Sequence, residues 1–389
     1  MRVTGATTSG ELRLHNLVRL LRAVHGGGAE ATRSELTRDL GLSRGTAAVL
    51  MGELINGRLL REEITRQGTR GRPTGIPGPH PDGPLALAVD LREDVWTIAT
   101  TELGGRLTVL EQQPHPGTPA PDVLNGLAAA IHRHRQALAP RPIGVAVAAP
   151  GPVRDGHLLD IPHLGWREVD VVEALQPVLL DNDATLAGLA EARRGALRTR
   201  GLGLHLHIEF DLGGTLILNG NPIPGARGAA GEFGHMPLIG SDRPCACGAT
   251  GCWGLEVGAN ALLRATGRPP QDRPRALEIL GDPAQQAVID QAASILGIGI
   301  SALVNALDPE TVTLSGLGVD ILARSGEALE TSYKAGLMDF RREHPAAVLP
   351  STLGAEATLI GASELAFDAF LTPEGVGAWL SAHEKGPAD

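Results

Sequence analysis

Tyrosine occurs once in the 389 residues, cysteine three times, and aromatic residues together make up 3%. Three cysteines cannot build a disulfide framework, so a reducing, cytoplasmic setting is expected. The chain lacks any run of eighteen apolar residues, and no membrane-spanning helix is expected from it. Its start, MRVTGATTSG, has no hydrophobic stretch of the kind a secretory signal needs. Positive charge is scarce overall: the formal net charge is -10, which argues against nucleic-acid binding over the whole surface. It is also uneven. Residues 1–76 hold twelve Arg and seven Asp or Glu, a balance of +5, and the remainder carries -15. A basic head on an acidic body suggests that only the head meets phosphate.

An apolar share of 42% is ample for packed cores, and the length suggests two or three domains. All three cysteines fall in one stretch, at Cys245, Cys247 and Cys252, ten residues after His235. Three thiolates and one imidazole form the ligand set of a closed tetrahedral zinc site, and Gly248 and Gly251 allow the tight turns between them. The alternative is a reduced thiol cluster beside a surface histidine.

Along the chain, residues 11–25 place Leu12, Leu17, Leu20, Leu21 and Val24 on one helical face. Residues 33–40 predict a second helix, Gly41–Ser43 a turn and 44–56 a third helix capped by Ser43. This is a helix-turn-helix whose third helix would put Ser43, Arg44 and Thr46 near base edges. Leu59–Ile64 and the Arg- and Gly-rich residues after it predict a wing, with Arg66, Arg70 and Arg72 reaching phosphate or the minor groove. A small protein-docking domain is the alternative. The Pro- and Gly-dense residues 73–84 predict a linker. This divides the chain into a winged helix-turn-helix (1–72), the linker (73–84) and a body (85–389). In the body, strands alternate with helices, as in an α/β fold, and the last helix is expected over 356–371.

Several motifs together resemble the ROK family of sugar-responsive repressors and sugar kinases. They are the head, Pro150-Gly151, the PHLGW segment 162–166, Asp181-Asn182-Asp183-Ala184, the GEFGH segment 231–235 and the cysteine cluster. The resemblance implies a two-lobed, ribonuclease H-like (actin and sugar-kinase type) domain with a sugar cleft and a zinc loop over 235–252. It implies sugar contacts from Asn182, Asp183, Glu232, His235 and His163, with Asp183 matching the base that takes the sugar's hydroxyl proton in kinase members. For Asp183 the alternative is a helix N-cap. Two positions depart from the family pattern: His163 replaces an Asn, and Gly254 stands where a Glu is usual, with Glu256 two residues on as a candidate substitute.

Sugar kinases also need glycine-rich loops whose amides approach phosphate. Here the first loop reads Asp90-Leu91-Arg92-Glu93-Asp94, without glycine, and Glu209 precedes the second near Asp211-Leu212-Gly213-Gly214-Thr215. The expected function is a sugar-responsive DNA-binding regulator with lost kinase activity. It would bind zinc, operator DNA and a sugar or sugar derivative as a homodimer or homotetramer, with no membrane partner. The alternatives are a sugar kinase with a DNA-binding head, or a regulator whose cleft takes no sugar.

Overall fold

The computed structural model describes residues 9–27, 30–65, 74–115, 119–154, 157–158, 160–161, 164–167, 169–238 and 240–384. The chain opens with α1 (Ser9–Gly26), α2 (Arg33–Asp39) and α3 (Arg44–Asn56), followed by β1 (Leu60–Thr65) and β2 (Thr74–Pro79) in an antiparallel hairpin. Thr32 and Glu35 close a capping box on α2, and Ser43 Oγ accepts from the Thr46 amide at the start of α3. Both caps satisfy amides that have no partner inside their helix. Leu17, Leu20, Leu21 and Val24 of α1 pack with Leu36, Leu50, Met51 and Leu54.

The expected linker is corrected here, because residues 74–79 pair with β1, Leu60 against Pro79 and Glu62 against Pro77. Every second N–H of an edge strand points away from its partner, so two prolines spaced two apart can occupy such positions without losing a ladder bond.

The first body lobe contains β3 (Leu85–Leu91), β4 (Val95–Glu102), β5 (Leu107–Pro114), α4 (Ala120–Leu138) and β6 (Pro142–Ala149). Four two-residue strands follow: β7 (Val153–Arg154), β8 (His157–Leu158), β9 (Asp160–Ile161) and β10 (Trp166–Arg167). Then come α5 (Val171–Leu175), β11 (Leu179–Asn182) and α6 (Asp183–Arg194). The sheet order is β11-β6-β3-β4-β5, with β3–β4–β5 antiparallel and β6 and β11 parallel to β3.

The second lobe contains β12 (Leu202–Ile208), β13 (Leu212–Leu218), β14 (Asn221–Pro222), α7 (Ala259–Ala265), α8 (Arg273–Gly281) and α9 (Gln286–Leu307). It closes with β15 (Thr311–Gly316), α10 (Leu317–Gly336), α11 (Asp339–Arg342) and β16 (Ala347–Pro350). Its order, β14-β13-β12-β15-β16, repeats the first sheet, again with an antiparallel meander and two parallel strands. α9 is long and apolar enough to cross a membrane by composition, but it carries ten buried residues and packs against α10.

Two final helices leave the second lobe, α12 (Ala357–Phe370) and α13 (Pro373–Glu384). α13 lies beyond the last helix expected from the sequence. It packs on α1, and Trp379 Nε1 donates to the Gly57 carbonyl. Head, α12 and α13 therefore share one core containing Leu54, Leu60, Phe367 and Trp379.

α12 lies on β3 and β6, α6 lies on β12 and β13, and the two helices pack on each other between the sheets. Their crossing has no slack: a Cβ on Gly361 would sit 1.8 Å from the Leu186 carbonyl oxygen. Gly361→Ala is expected to destabilise the protein by about 3 kcal/mol in urea unfolding, since backbone must move to admit the methyl. An unchanged midpoint would contradict this packing.

Candidate ligand cleft and metal centre

The C-terminal ends of β3, β12 and β15 and the N-terminus of α6 converge on a cavity of about 220 Å³. Asp90, Arg92, Asp183, Glu209, Arg273 and Thr358 are among its lining residues. Ligands of open α/β sheets bind at such strand ends.

Asp90, next to last in β3, is 5% exposed, and its Oδ1 has no hydrogen-bond partner among the described residues. Burial pushes its carboxyl up to about 6, against the Arg92 charge and a hydrogen bond with Thr358. Asp183 is pushed up to about 7, first by burial and then by the Asp90 charge. Two buried acids in one cavity, both raised, are poised to accept hydrogen bonds or a proton. Burial would also raise Glu209, but Arg273 donates to it twice, at 2.6 and 3.2 Å, and Arg92 lies 3.8 Å away. Those contacts hold the Glu209 carboxyl below its ordinary range. Its charge is therefore largely offset.

Asp183 gives a pH prediction. Its folded value lies above the unfolded 3.8, so the folded state binds the extra proton between pH 4 and 7 and loses that advantage as pH rises. Asp183→Asn is expected to raise the melting temperature more at pH 8 than at pH 5. An equal change at both would contradict the assignment.

The helix cap expected as an alternative for Asp183 belongs to Asn182. Asn182 Oδ1 accepts from the Thr185 amide and Nδ2 donates to the Gly151 carbonyl. Asn182 thus holds the Pro150-Gly151 loop to α6, while Asp183 lines the cavity. Glu232 shares this electrostatic environment, and its charge raises Asp183 further. Burial raises Glu232 itself, countered by His235.

His235, Cys245, Cys247 and Cys252 present ligand atoms that all lie within 4.8 Å of one another. The Cys247 and Cys252 sulfurs are 3.7 Å apart, and Cys245 Sγ is 3.6 Å from His235 Nδ1. A tetrahedron with metal–sulfur arms of 2.3 Å has edges of about 3.8 Å, so the four groups fit one metal ion. Nδ1 faces the thiols, leaving His235 Nε2 3.8 Å from Glu232 Oε2, so the same ring reaches from the metal ligands to Glu232. Gly251 has φ +76°, and a Cβ there would meet the Ser241 carbonyl at 2.4 Å. Trp253, fully buried, donates to the Ile295 carbonyl and anchors the loop to α9.

Glu256, the candidate substitute for the carboxylate absent at Gly254, is held by two arginines. Its Oε1 accepts from Arg243 at 2.9 Å and its Oε2 from Arg264 at 3.1 Å, bracing the metal loop.

In the head, Ser43, Arg44 and Thr46 are exposed at the start of α3. The Ser43 and Thr46 hydroxyls bond to each other at 2.8 Å. Arg66, Arg70, Arg72 and His163 lie outside the described residues. Arg273, His207 and Thr358 were not anticipated as cleft residues. Only Asp272-Arg273-Pro274, a helix-start signature, marked one of them in the sequence.

The ROK family profile matches residues 86–369. A xylose repressor of Bacillus subtilis is 24% identical over 370 residues, covering 87% of this chain and 92% of its own. A glucokinase of Halalkalibacterium halodurans is 28% identical, covering 69% of this chain and 86% of its own. The crystal structure of a ROK transcriptional regulator, a homologue of the E. coli MLC protein, matches with TM-score 0.72 at 23% identity, over 95% of this chain and 99% of that one. Its body therefore has the α/β architecture of the sugar-kinase-like fold, and the protein belongs to the ROK family.

Proposed function

We propose that this protein is a DNA-binding transcriptional regulator that responds to a sugar or sugar derivative and does not phosphorylate it. The observation that carries the reading is the head. Three helices and a hairpin, in the order of a winged helix-turn-helix, share a core with a cleft-bearing body. The repressor match extends over 87% of the chain, whereas the glucokinase match covers 69%.

The regulator binds operator DNA as a homodimer or homotetramer in the cytoplasm. Arg44, with Ser43 and Thr46, reads base edges, while Arg66, Arg70 and Arg72 hold phosphate or the minor groove. Asp183 and Glu232 hold sugar hydroxyls, Asp90 supplies a further acceptor, and His163 is the remaining candidate contact. The metal is zinc, for which three thiolates and an imidazole are a structural ligand set. It holds the turn that presents Glu232 and does no chemistry.

Lost kinase activity is supported by the tight turn at Arg92–Asp94, which offers side-chain charge where a kinase loop would offer glycine amides. A second reading, an ATP-dependent sugar kinase with a DNA-binding head, draws on Asp183, a cavity acid with its value near 7 in the position of the family's base. Incubation with ATP and a panel of hexoses, pentoses and amino sugars separates the two. Sugar-dependent ADP release would establish the kinase.

DNA binding has its own test. Arg44→Ala is expected to cost about 1–3 kcal/mol on DNA selected by the parent and to relax its sequence preference. Unchanged affinity and preference would remove Arg44 from the interface.

A further inference from the structure

α6 and α12 both begin in the cleft and both end beneath the head. Asp183 opens α6, and Thr358, which lines the same cavity as Asp90 and lowers its carboxyl, lies in the first turn of α12. The helices have 12 and 14 residues, lengths of about 18 and 21 Å at 1.5 Å per residue. The Gly361–Leu186 crossing locks them together, so neither can slide alone.

At the far end, Arg194 closes α6. Its Nε donates to Glu364 Oε1 at 2.8 Å, and its Nη1 donates to the His25 carbonyl at 2.7 Å and to the Gly104 carbonyl at 3.2 Å. His25 belongs to α1, and its Nδ1 accepts from the Gly104 amide. Its Nε2 lies 3.1 Å from Glu364 Oε2 and 2.9 Å from Arg194 Nη2. Side-chain exposures of 6%, 4% and 13% for His25, Glu364 and Arg194 make this a dry, fully engaged knot. Arg198 also donates to the Gly26 carbonyl, at 2.6 Å. Two arginines of the body thus satisfy the closing carbonyls of α1, where cations also suit the helix dipole. α1 in turn packs on α3.

We infer that α6 and α12 form one rigid transmission from the cleft to the head, with the Arg194–Glu364–His25 knot as its coupling joint. A ligand that engages Asp183 or Asp90 bears on the first turns of both helices. Displacement there reaches α1 through buried, mutually bonded groups that cannot relax independently. The inference deepens the regulator reading by giving its route, but the test needs neither DNA nor sugar, so either can fail without the other.

The test is hydrogen–deuterium exchange on the full chain with Thr358→Val as the probe, which removes the Asp90 contact while keeping side-chain shape. Exchange in peptides spanning 17–25 is expected to quicken about threefold or more, with β15 peptides unchanged as the control for global loosening. In an Arg194→Lys background, which keeps the charge and loses the fork, the same probe should leave 17–25 unchanged. Glu364→Gln serves as a second uncoupling background. No response at 17–25 in the parent, a response shared by β15, or a response that persists in both backgrounds would overturn the inference.

Discussion

Cys252→Ser is expected to abolish metal binding and disorder the loop from Gly231 to Glu256. Structural zinc sites of this ligand type carry on the order of 10 kcal/mol of binding free energy, which is coupled to the order of the chain around them. Cys252 is also 1% exposed, so its loss mixes a packing defect with the metal effect. Cys247 is exposed and separates the two contributions. Cys247→Ser removes a ligand with little packing, and it should release the metal as fully as Cys252→Ser. Elemental analysis should find one zinc per chain in the parent and far less in either variant. Trp253 is fully buried beside Cys252, so chelation should also shift its fluorescence to the red. Full metal content in Cys247→Ser would contradict the four-ligand site.

The second large effect lies at the joint between head and body. Glu364→Ala leaves Arg194 and His25 buried without their carboxylate, and breaking such a pair costs about 3–5 kcal/mol. Burial alone would raise Glu364, but the hydrogen bond from His25 and the charges of His25 and Arg194 hold it below the ordinary carboxylate range. A lowered folded value gives stability that is fully present above the unfolded pKa and lost as pH falls through the folded one. The deficit of Glu364→Ala, read from urea midpoints, should therefore be full at pH 7 and shrink in acid below about pH 4. A deficit that is the same at pH 3 and pH 7 would show that packing, not the ion pair, is at stake.

Much of the fold is legible in local patterns. The apolar face of α1, the Ser43 cap of α3 and the buried strand β6 follow from spacing and caps. The metal ligands are legible because cysteine is so rare that its clustering stands out.

What the sequence hides depends on distance or context. β2 lies in a stretch rich in proline and glycine because pairing with β1 overrides local preference. The shared topology of the two sheets is invisible in the letters because a strand order tolerates any apolar sequence. The knot joins residues 339 and 170 positions apart, and no local pattern signals such a pairing. The bracing bonds of Glu256 and Asn182 are hidden for one shared reason. A carboxylate or amide near a motif can brace the loop as well as contact a ligand, and only the positions of Arg243, Arg264 and Gly151 decide which.

Two acids in a cleft and a basic head gain meaning together only if occupancy of one alters the other. Reciprocal coupling between two sites has a definite size, typically 5- to 150-fold in affinity. The most direct measurement is the affinity of the full chain for DNA selected from a random library, titrated with neutral pentoses and hexoses and with sugar phosphates. The account predicts nanomolar to micromolar binding that at least one sugar changes by about fivefold or more. Failure to select any DNA, or binding that no sugar changes while ATP is consumed in the presence of one, would contradict it.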